Sequence, residues 1–342
     1  MSAPPARREE NTEAPPRLPP ARGELSRAVL AVLSGRGLPL PDEAAVAAAE
    51  AYGEDLQLVL YVLYELHYRG FEGVADTLEW DPELLRVRAA AEEVFLRALR
   101  RDAGTGSSDV STVVAGLLAE PATDDGGSVS HHLRRAGELW QLREYAALRS
   151  LYHLKEADPH LWVVPRLRGR AKAAMVAVEF DEFGAGRADA VHAHLFAELM
   201  ADLGLDARYG GYLDAAPAPA LAVVNVMSLL GLHRRLRGAL VGHFATVEIT
   251  SSPGSRRLAA AMRRSGAGPA AARFYEEHVE ADAVHEQVVR REVIGGLLAE
   301  EPGLAGDVVF GVEATEYLEN RLADHLLSCW RAGRTALRDR RR

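Results

Sequence analysis

Cysteine is almost missing: Cys329 stands alone in 342 residues, so the chain can form no internal disulfide. Such usage fits a reducing compartment, and a cytoplasmic setting is expected. Cys329 itself reads as a small packed apolar group rather than a nucleophile. No stretch reaches about 18 uninterrupted apolar residues, so no membrane span is expected and no membrane partner either. Excess positive charge is missing too. A net charge of −9 and a pI near 5.8 argue against nucleic acid as the main partner. Runs that alternate apolar and polar residues are absent as well, which argues against a sheet. Residues 1–22 are rich in Pro, Ala, Arg and Glu and lack an apolar run of signal-peptide length. They are expected to form a disordered leader. Residues 336–342, ending in Arg338-Asp-Arg-Arg-Arg342, are expected to form a solvated basic tail.

What remains is helix. With 48% apolar content the chain can fill a sizeable core, and the pattern is all-α. A short helix is expected over 24–35, closed by Gly35 and Gly37. A longer one follows Pro41 and Asp42, with the aspartate as N-cap, and runs to about Tyr68. Another follows Asp81 and Pro82 and ends near Arg101. Loops are expected at 102–108 and 121–128, with a short helix between them. These residues, 23–125, make an auxiliary helical region, expected to cover the core or support a homodimer. Residues 126–335 then read as a bundle-like domain. Its helices are expected from about 130 to 155, from Pro165 to Gly184, over 188–203, over 218–249 with a break at Ser251-Ser-Pro-Gly254, over 256–265, from Pro269 onward, and over 314–332.

The stretch Phe274-Tyr-Glu-Glu-His-Val-Glu-Ala-Asp-Ala-Val-His-Glu286 carries the most chemistry. At about 100° per residue, His278, Asp282 and His285 share roughly 60° of helical arc. Two imidazoles and a carboxylate on one stripe suit an Fe(II)-type ion with positions left open for other ligands. A dimetal centre would need further carboxylates and imidazoles from other helices. Ala-Asp-Ala-Val-His occurs twice, at 188–192 and 281–285, so Asp189 and His192 could mirror Asp282 and His285. Other acidic candidates are Glu179 and Glu182, three apart, and Glu248, which sits among apolar neighbours where an unpaired charge is costly. The bland readings are a satisfied core histidine at His192 and a helix-end carboxylate at Glu248.

The chain resembles the haem-oxygenase-like diiron oxidases and oxygenases, in particular the iron-containing redox enzymes. The matching segments are Leu154-Lys-Glu-Ala-Asp-Pro-His160, Phe180-Asp-Glu-Phe-Gly-Ala-Gly-Arg187, Leu232-His-Arg-Arg-Leu-Arg-Gly238, Gly242-His-Phe-Ala-Thr-Val-Glu248 and the 274–286 stretch. They cover roughly residues 130–332. The resemblance implies a haem-oxygenase-like helical bundle with an N-terminal helical extension. It also implies a ligand set of Glu182, His192, Glu248, His278, Asp282 and His285, with Glu156 as an additional carboxylate. It favours Glu182 over Asp189. The cofactors implied are two Fe ions (Fe2+/Fe3+), for which manganese could substitute, with O2 as co-substrate. The implied activity is oxidation of a small organic molecule by N-oxygenation, oxidative decarboxylation or C–C cleavage, with an external reductant as a partner.

Arg237 lies eleven residues before Glu248, on nearly the same helix face about three turns away, where it could anchor a substrate carboxylate. The competing reading of His233, Arg234, Arg235 and Arg237 is a solvated or salt-bridged face. Gly238 and Gly242 read as close-packing positions. Two other functions stand beside the leading one. A metal-free enzyme of the same fold would not hold stoichiometric iron. A non-enzymatic protein that stores or senses metal would load fully yet consume no oxygen.

Overall fold

The computed structural model describes residues 14–104, 106, 109–119 and 128–338, apart from the side chains of 280–283. Among the described residues there are helices and turns and no strand. The N-terminal set comprises α1 (Glu24–Leu33), α2 (Glu43–Ala47), α3 (Glu54–Glu65), α4 (Pro82–Asp102) and α5 (Val110–Leu117). Asp42 caps α2 through Ala45 N at 2.8 Å, and Asp81 caps α4 with Pro82 in its first turn. The single helix expected from Asp42 to Tyr68 is two. Gly53 caps α3 from an extended conformation, and a Cβ there would sit 3.0 Å from Glu50. From Leu56 to Glu65 every residue of α3 is buried, so it is a core helix, wrapped by α1, α4 and a later helix.

The expected leader is partly ordered. Arg22 donates to Leu213 O and Glu54, each at 2.7 Å, and Pro16 O accepts from Glu72 N at 2.8 Å. Residues 1–13 lie outside the described residues. The expected tail also begins docked: Arg338 N donates to Ala215 O at 2.8 Å, and residues 339–342 lie outside the described set.

The remaining helices are α6 (Val129–Ala136), α7 (Leu139–His153), α8 (Asp158–Leu161), α9 (Gly169–Glu182), α10 (His192–Asp202), α11 (Ala218–Leu232), α12 (Arg237–Ser265), α13 (Pro269–Val288), α14 (Gly295–Glu300) and α15 (Ala305–Arg331). The expected 130–155 helix divides at Gly137, where a Cβ would meet Leu133 backbone at 2.6 Å. Around 218–265 the structure reverses the expectation. The chain breaks at 233–236 rather than at Pro253. Arg166 donates to the last carbonyls of α11, to Gly231 O and to Leu232 O (2.9 Å), and so ends that helix. His233, in extended conformation, meets Glu92 at 2.8 Å.

Helix α12 then runs through Pro253, which cannot donate to Ile249 O. Its packing along α13 and α15 overrides that local penalty. The α12–α15 approach is very close: a Cβ at Gly242 would lie 2.0 Å from Val308 O, and one at Gly311 would lie 1.9 Å from Ala239 O. Helix α13 passes without interruption into a π-helical segment, Val289–Ile294, and on into α14. One continuous buried apolar cluster joins the N-terminal helices to the bundle.

Candidate metal centre

Glu182 ends α9 and His192 begins α10. Between them Gly184, Ala185 and Gly186 all have positive φ (69°, 52° and 81°), and a Cβ at Gly184 would lie 2.6 Å from Ala190 backbone. This tight reversal lays the end of one helix beside the start of the next. As a result Glu182 Oε2 lies 2.6 Å from His192 Nδ1. The other oxygen of the same carboxylate, Oε1, is 4.0 Å from His285 Nδ1, which in turn is 3.0 Å from Glu248 Oε2.

Two triads therefore form around Glu182: Glu182, His192 and His278 on one side, and Glu182, Glu248 and His285 on the other. In each, one ligand atom from every residue lies within 4.8 Å of the others, and all five residues are buried. The first triad has two imidazoles and one carboxylate, the second one imidazole and two carboxylates. Both donor sets suit a ferrous-type ion.

Two of the three imidazoles, His278 and His285, are held as metal ligands usually are, through the nitrogen that does not face the site. His278 donates from Nδ1 to Phe274 O at 2.8 Å, leaving Nε2 buried and without a hydrogen-bond partner. The His192 and His278 rings lie 4.4 Å apart. The His192 Nδ1 contact with Glu182 lacks hydrogen-bond geometry, as two atoms directed at a shared point would. On the other side His285 Nε2 lies 3.1 Å from Asp181 Oδ2. Sequence reasoning missed Asp181, whose neighbour Glu182 drew the attention. Its signal was the Glu179-Phe-Asp-Glu182 run, which crowds three carboxylates onto one helix end.

Protons shared among these groups offset their charges. Burial drives Glu248 upward, more strongly than the His285 bond lowers it, to about 7. Burial works against the His285 charge, but Glu248, Asp181 and Glu182 outweigh it and lift the ring to about 9. Burial, together with neighbouring His192, pushes His278 down to about 3, so that its lone pair stays available. A cation held between the triads would replace the protons.

Asp189 is exposed in a turn at 188–190, so the two Ala-Asp-Ala-Val-His copies adopt different structures. The side chain of Asp282 lies outside the described residues; its backbone belongs to α13, between His278 and His285. Glu156 stands beside the first triad without entering it. Rather than capping α8, its Oε2 accepts from His153 Nδ1 at 2.8 Å. Burial would raise its carboxyl, but His153, His278 and His192 hold it at about 2. Arg237 pairs with Glu301 at the far end of α12, on the salt-bridged face that was its competing reading. It does not line the cavity that reaches the triads. That cavity, of about 350 Å³, is bounded instead by α7, α12, α13 and α15, and its walls include Glu156, Glu182, Glu248 and His278.

No helix among the described residues is long and apolar enough to cross a membrane. Comparison with curated proteins gives no match. A model of the family described as iron-containing redox enzymes matches residues 143–320, the span that supplies the shared carboxylate and both triads. The chain, a haem-oxygenase-like helical bundle, belongs to the iron-containing redox enzyme family, and with it to the oxidoreductases.

Proposed function

We propose that this protein is a nonhaem diiron oxidase or oxygenase that uses O2 to oxidise a small organic substrate. The observation that carries the reading is the position of Glu182, whose two oxygens face different histidines and complete two triads at once. A carboxylate shared in this way brings two cations close together without bringing two unscreened positive charges into the core. Glu182, His192, Glu248, His278 and His285 would hold the ions, with Asp282 from the same face of α13 and Glu156 as a further carboxylate. Bound iron would supply the electrons and open coordination positions that O2 needs.

The protein's own groups do the rest. Phe274 O and Asp181 fix the His278 and His285 rings. His153 holds the Glu156 carboxylate beside the first triad. Burial of the five ligand side chains keeps bulk water away, and the cavity between α7, α12, α13 and α15 gives an organic molecule access to the ions.

The test is anaerobic Fe(II) loading, with metal counted per chain and Mössbauer spectra recorded, followed by mixing with O2 in a stopped-flow spectrometer. Two irons per chain in a coupled cluster, with a transient absorption after mixing, is the expected result. His278→Ala and Glu248→Ala should each abolish that signal; a variant that kept it in full would remove its residue from the centre. A single iron per chain in the native protein would defeat the diiron reading.

A further inference from the structure

The cavity that ends on the triads has a second polar wall, remote from them. Tyr145, Arg149, Tyr152 and Glu156 follow one another at steps of four, three and four, so one face of α7 and its extension lines the cavity. Glu156 stands at the metal end. Arg149 is seven residues earlier, about 10 Å away by helical rise.

Arg149 gives two guanidinium N–H groups to Glu319 on α15, at 2.7 and 2.5 Å. That pairing is a fork against a fork, and it fixes the guanidinium plane. The third nitrogen, Nε, is buried and has no hydrogen-bond partner, and Tyr145 interacts with the same guanidinium. The hydroxyls of Tyr152 and Tyr275 are in the same condition, on side chains that are only 4% and 3% exposed. Burial keeps both phenols protonated. Burial also works against the charge on Arg149, but the Glu319 carboxylate outweighs it, so the guanidinium stays charged.

Three buried donors with no acceptor are costly in a folded core. Here all three belong to residues that line one cavity, beside the Phe274 ring, which offers an apolar face. What they lack is a compact group rich in acceptor oxygens. A carboxylate has two oxygens and about four lone-pair sites, enough to accept from all three. An amine brings donors where donors already stand, and an alcohol offers a single oxygen.

We propose that Arg149, Tyr152 and Tyr275 form a carboxylate-binding subsite that seats the acidic end of the organic substrate, with the remainder directed toward the triads. The inference rests on those triads being the reacting centre. It assigns to Arg149 the anchoring role that the sequence suggested for Arg237, and it defines the substrate class as small organic acids whose reacting atom lies about two helical turns from the carboxylate.

The test is calorimetric titration of the full-length, metal-free chain with hydrocinnamate, hydrocinnamyl alcohol and hydrocinnamamide, which share one body and differ in the end group. Without metal, no ion can capture the carboxylate. The acid should bind tenfold or more tighter than the alcohol and the amide. Tyr152→Phe combined with Tyr275→Phe removes two hydroxyls and leaves the packing; it should reduce the preference to about threefold or less. Arg149→Gln combined with Glu319→Gln should do the same without stranding a charge. Equal binding of acid and alcohol by the native chain would overturn the proposal, and so would a preference left intact in the folded tyrosine double variant. Iron stoichiometry is read separately, so failure of the subsite and failure of the diiron centre remain distinguishable.

Discussion

Single side chains decide how firmly the centre is held. Asp181 touches neither triad's interior, yet it fixes His285 through Nε2. Asp181→Asn should therefore weaken divalent metal binding by about tenfold to a hundredfold while the fold persists. Competitive Mn(II) titration reads this directly, and unchanged affinity would show that the contact does not orient the ring. A second pair of histidines lies apart from the triads. The His160 and His243 rings lie 5.3 Å apart with their planes inclined at 48°, and His243 Nδ1 donates to Thr315 at 2.9 Å. Burial lowers His160 to about 4 and His243 well below its usual value. Their folded pKa values lie below the unfolded value of about 6.5, so the unfolded chain binds more protons in between. Stability from His160 is therefore present above pH ~6.5 and is lost, by about 1.4 kcal/mol per pH unit, as pH falls toward ~4. Glu179, 3.8 Å from His160 and raised by burial, acts with the opposite sign. The contribution of His160 is isolated by comparing urea midpoints of the native chain and His160→Gln from pH 7 to pH 5. The native chain should lose more stability than the variant; parallel curves would contradict a buried neutral ring.

Helices set the spacing within which those side chains act. Gly242 and Gly311 let α12 and α15 approach until a Cβ on either would overlap a facing carbonyl. Gly311→Ala should cost about 1–3 kcal/mol or more through forced separation. Gly254, in the same α12 with nothing within 4 Å of its Cβ position, should gain up to about 1 kcal/mol on changing to alanine. Chemical denaturation of the two variants measures the contrast, and equal effects would remove close packing as the reason for the glycines. These elements also show how far sequence could be read. The α4 start at Asp81 and Pro82 and the α13 start at Pro269 follow from capping chemistry and were legible. The break at 233–236 was not, because its cause is Arg166, sixty-odd residues away, capping α11. Continuation through Pro253 was equally hidden, since packing on two long neighbours outweighs the local penalty. The spacing of His278 and His285 placed both on one stripe. The meeting of Glu182 with Glu248 needed tertiary structure, and only the family resemblance pointed to it in advance.

Across the whole molecule, one buried apolar cluster runs through the N-terminal helices and the bundle alike. Lys155, 1% exposed, pairs with Glu65 of α3 at 2.5 Å, and its ammonium lies 4.2 Å from the Tyr68 ring. Tyr209 completes the cage by donating to Glu65 at 3.0 Å. Lys155 directly precedes Glu156, so a charge pair from the auxiliary region pins the chain where it enters the centre. Lys155→Met should destabilise by about 3–5 kcal/mol, because Glu65 is left buried and unpaired. Changing Glu65→Leu as well should restore much of the loss, as thermal midpoints would show. Residues 126–342 expressed alone would expose α11 and leave Lys155 without Glu65. They should aggregate or melt far below the full chain, and a stable fragment would show that the bundle folds without the auxiliary region.

The Gly184–Ala185–Gly186 reversal bears on the order in which the centre assembles. Glu182 and His192 are only ten residues apart and meet through a local corner, whereas Glu248 and His285 reach them only after α12 and α13 have docked. Contacts so close in the chain need little loop closure and form early; the distant ones wait for the bundle. One wall of the centre is thus a property of a short hairpin of helices, the other a property of the finished fold, and in the proposed diiron centre complete metal uptake would be a chemical signal that folding has ended.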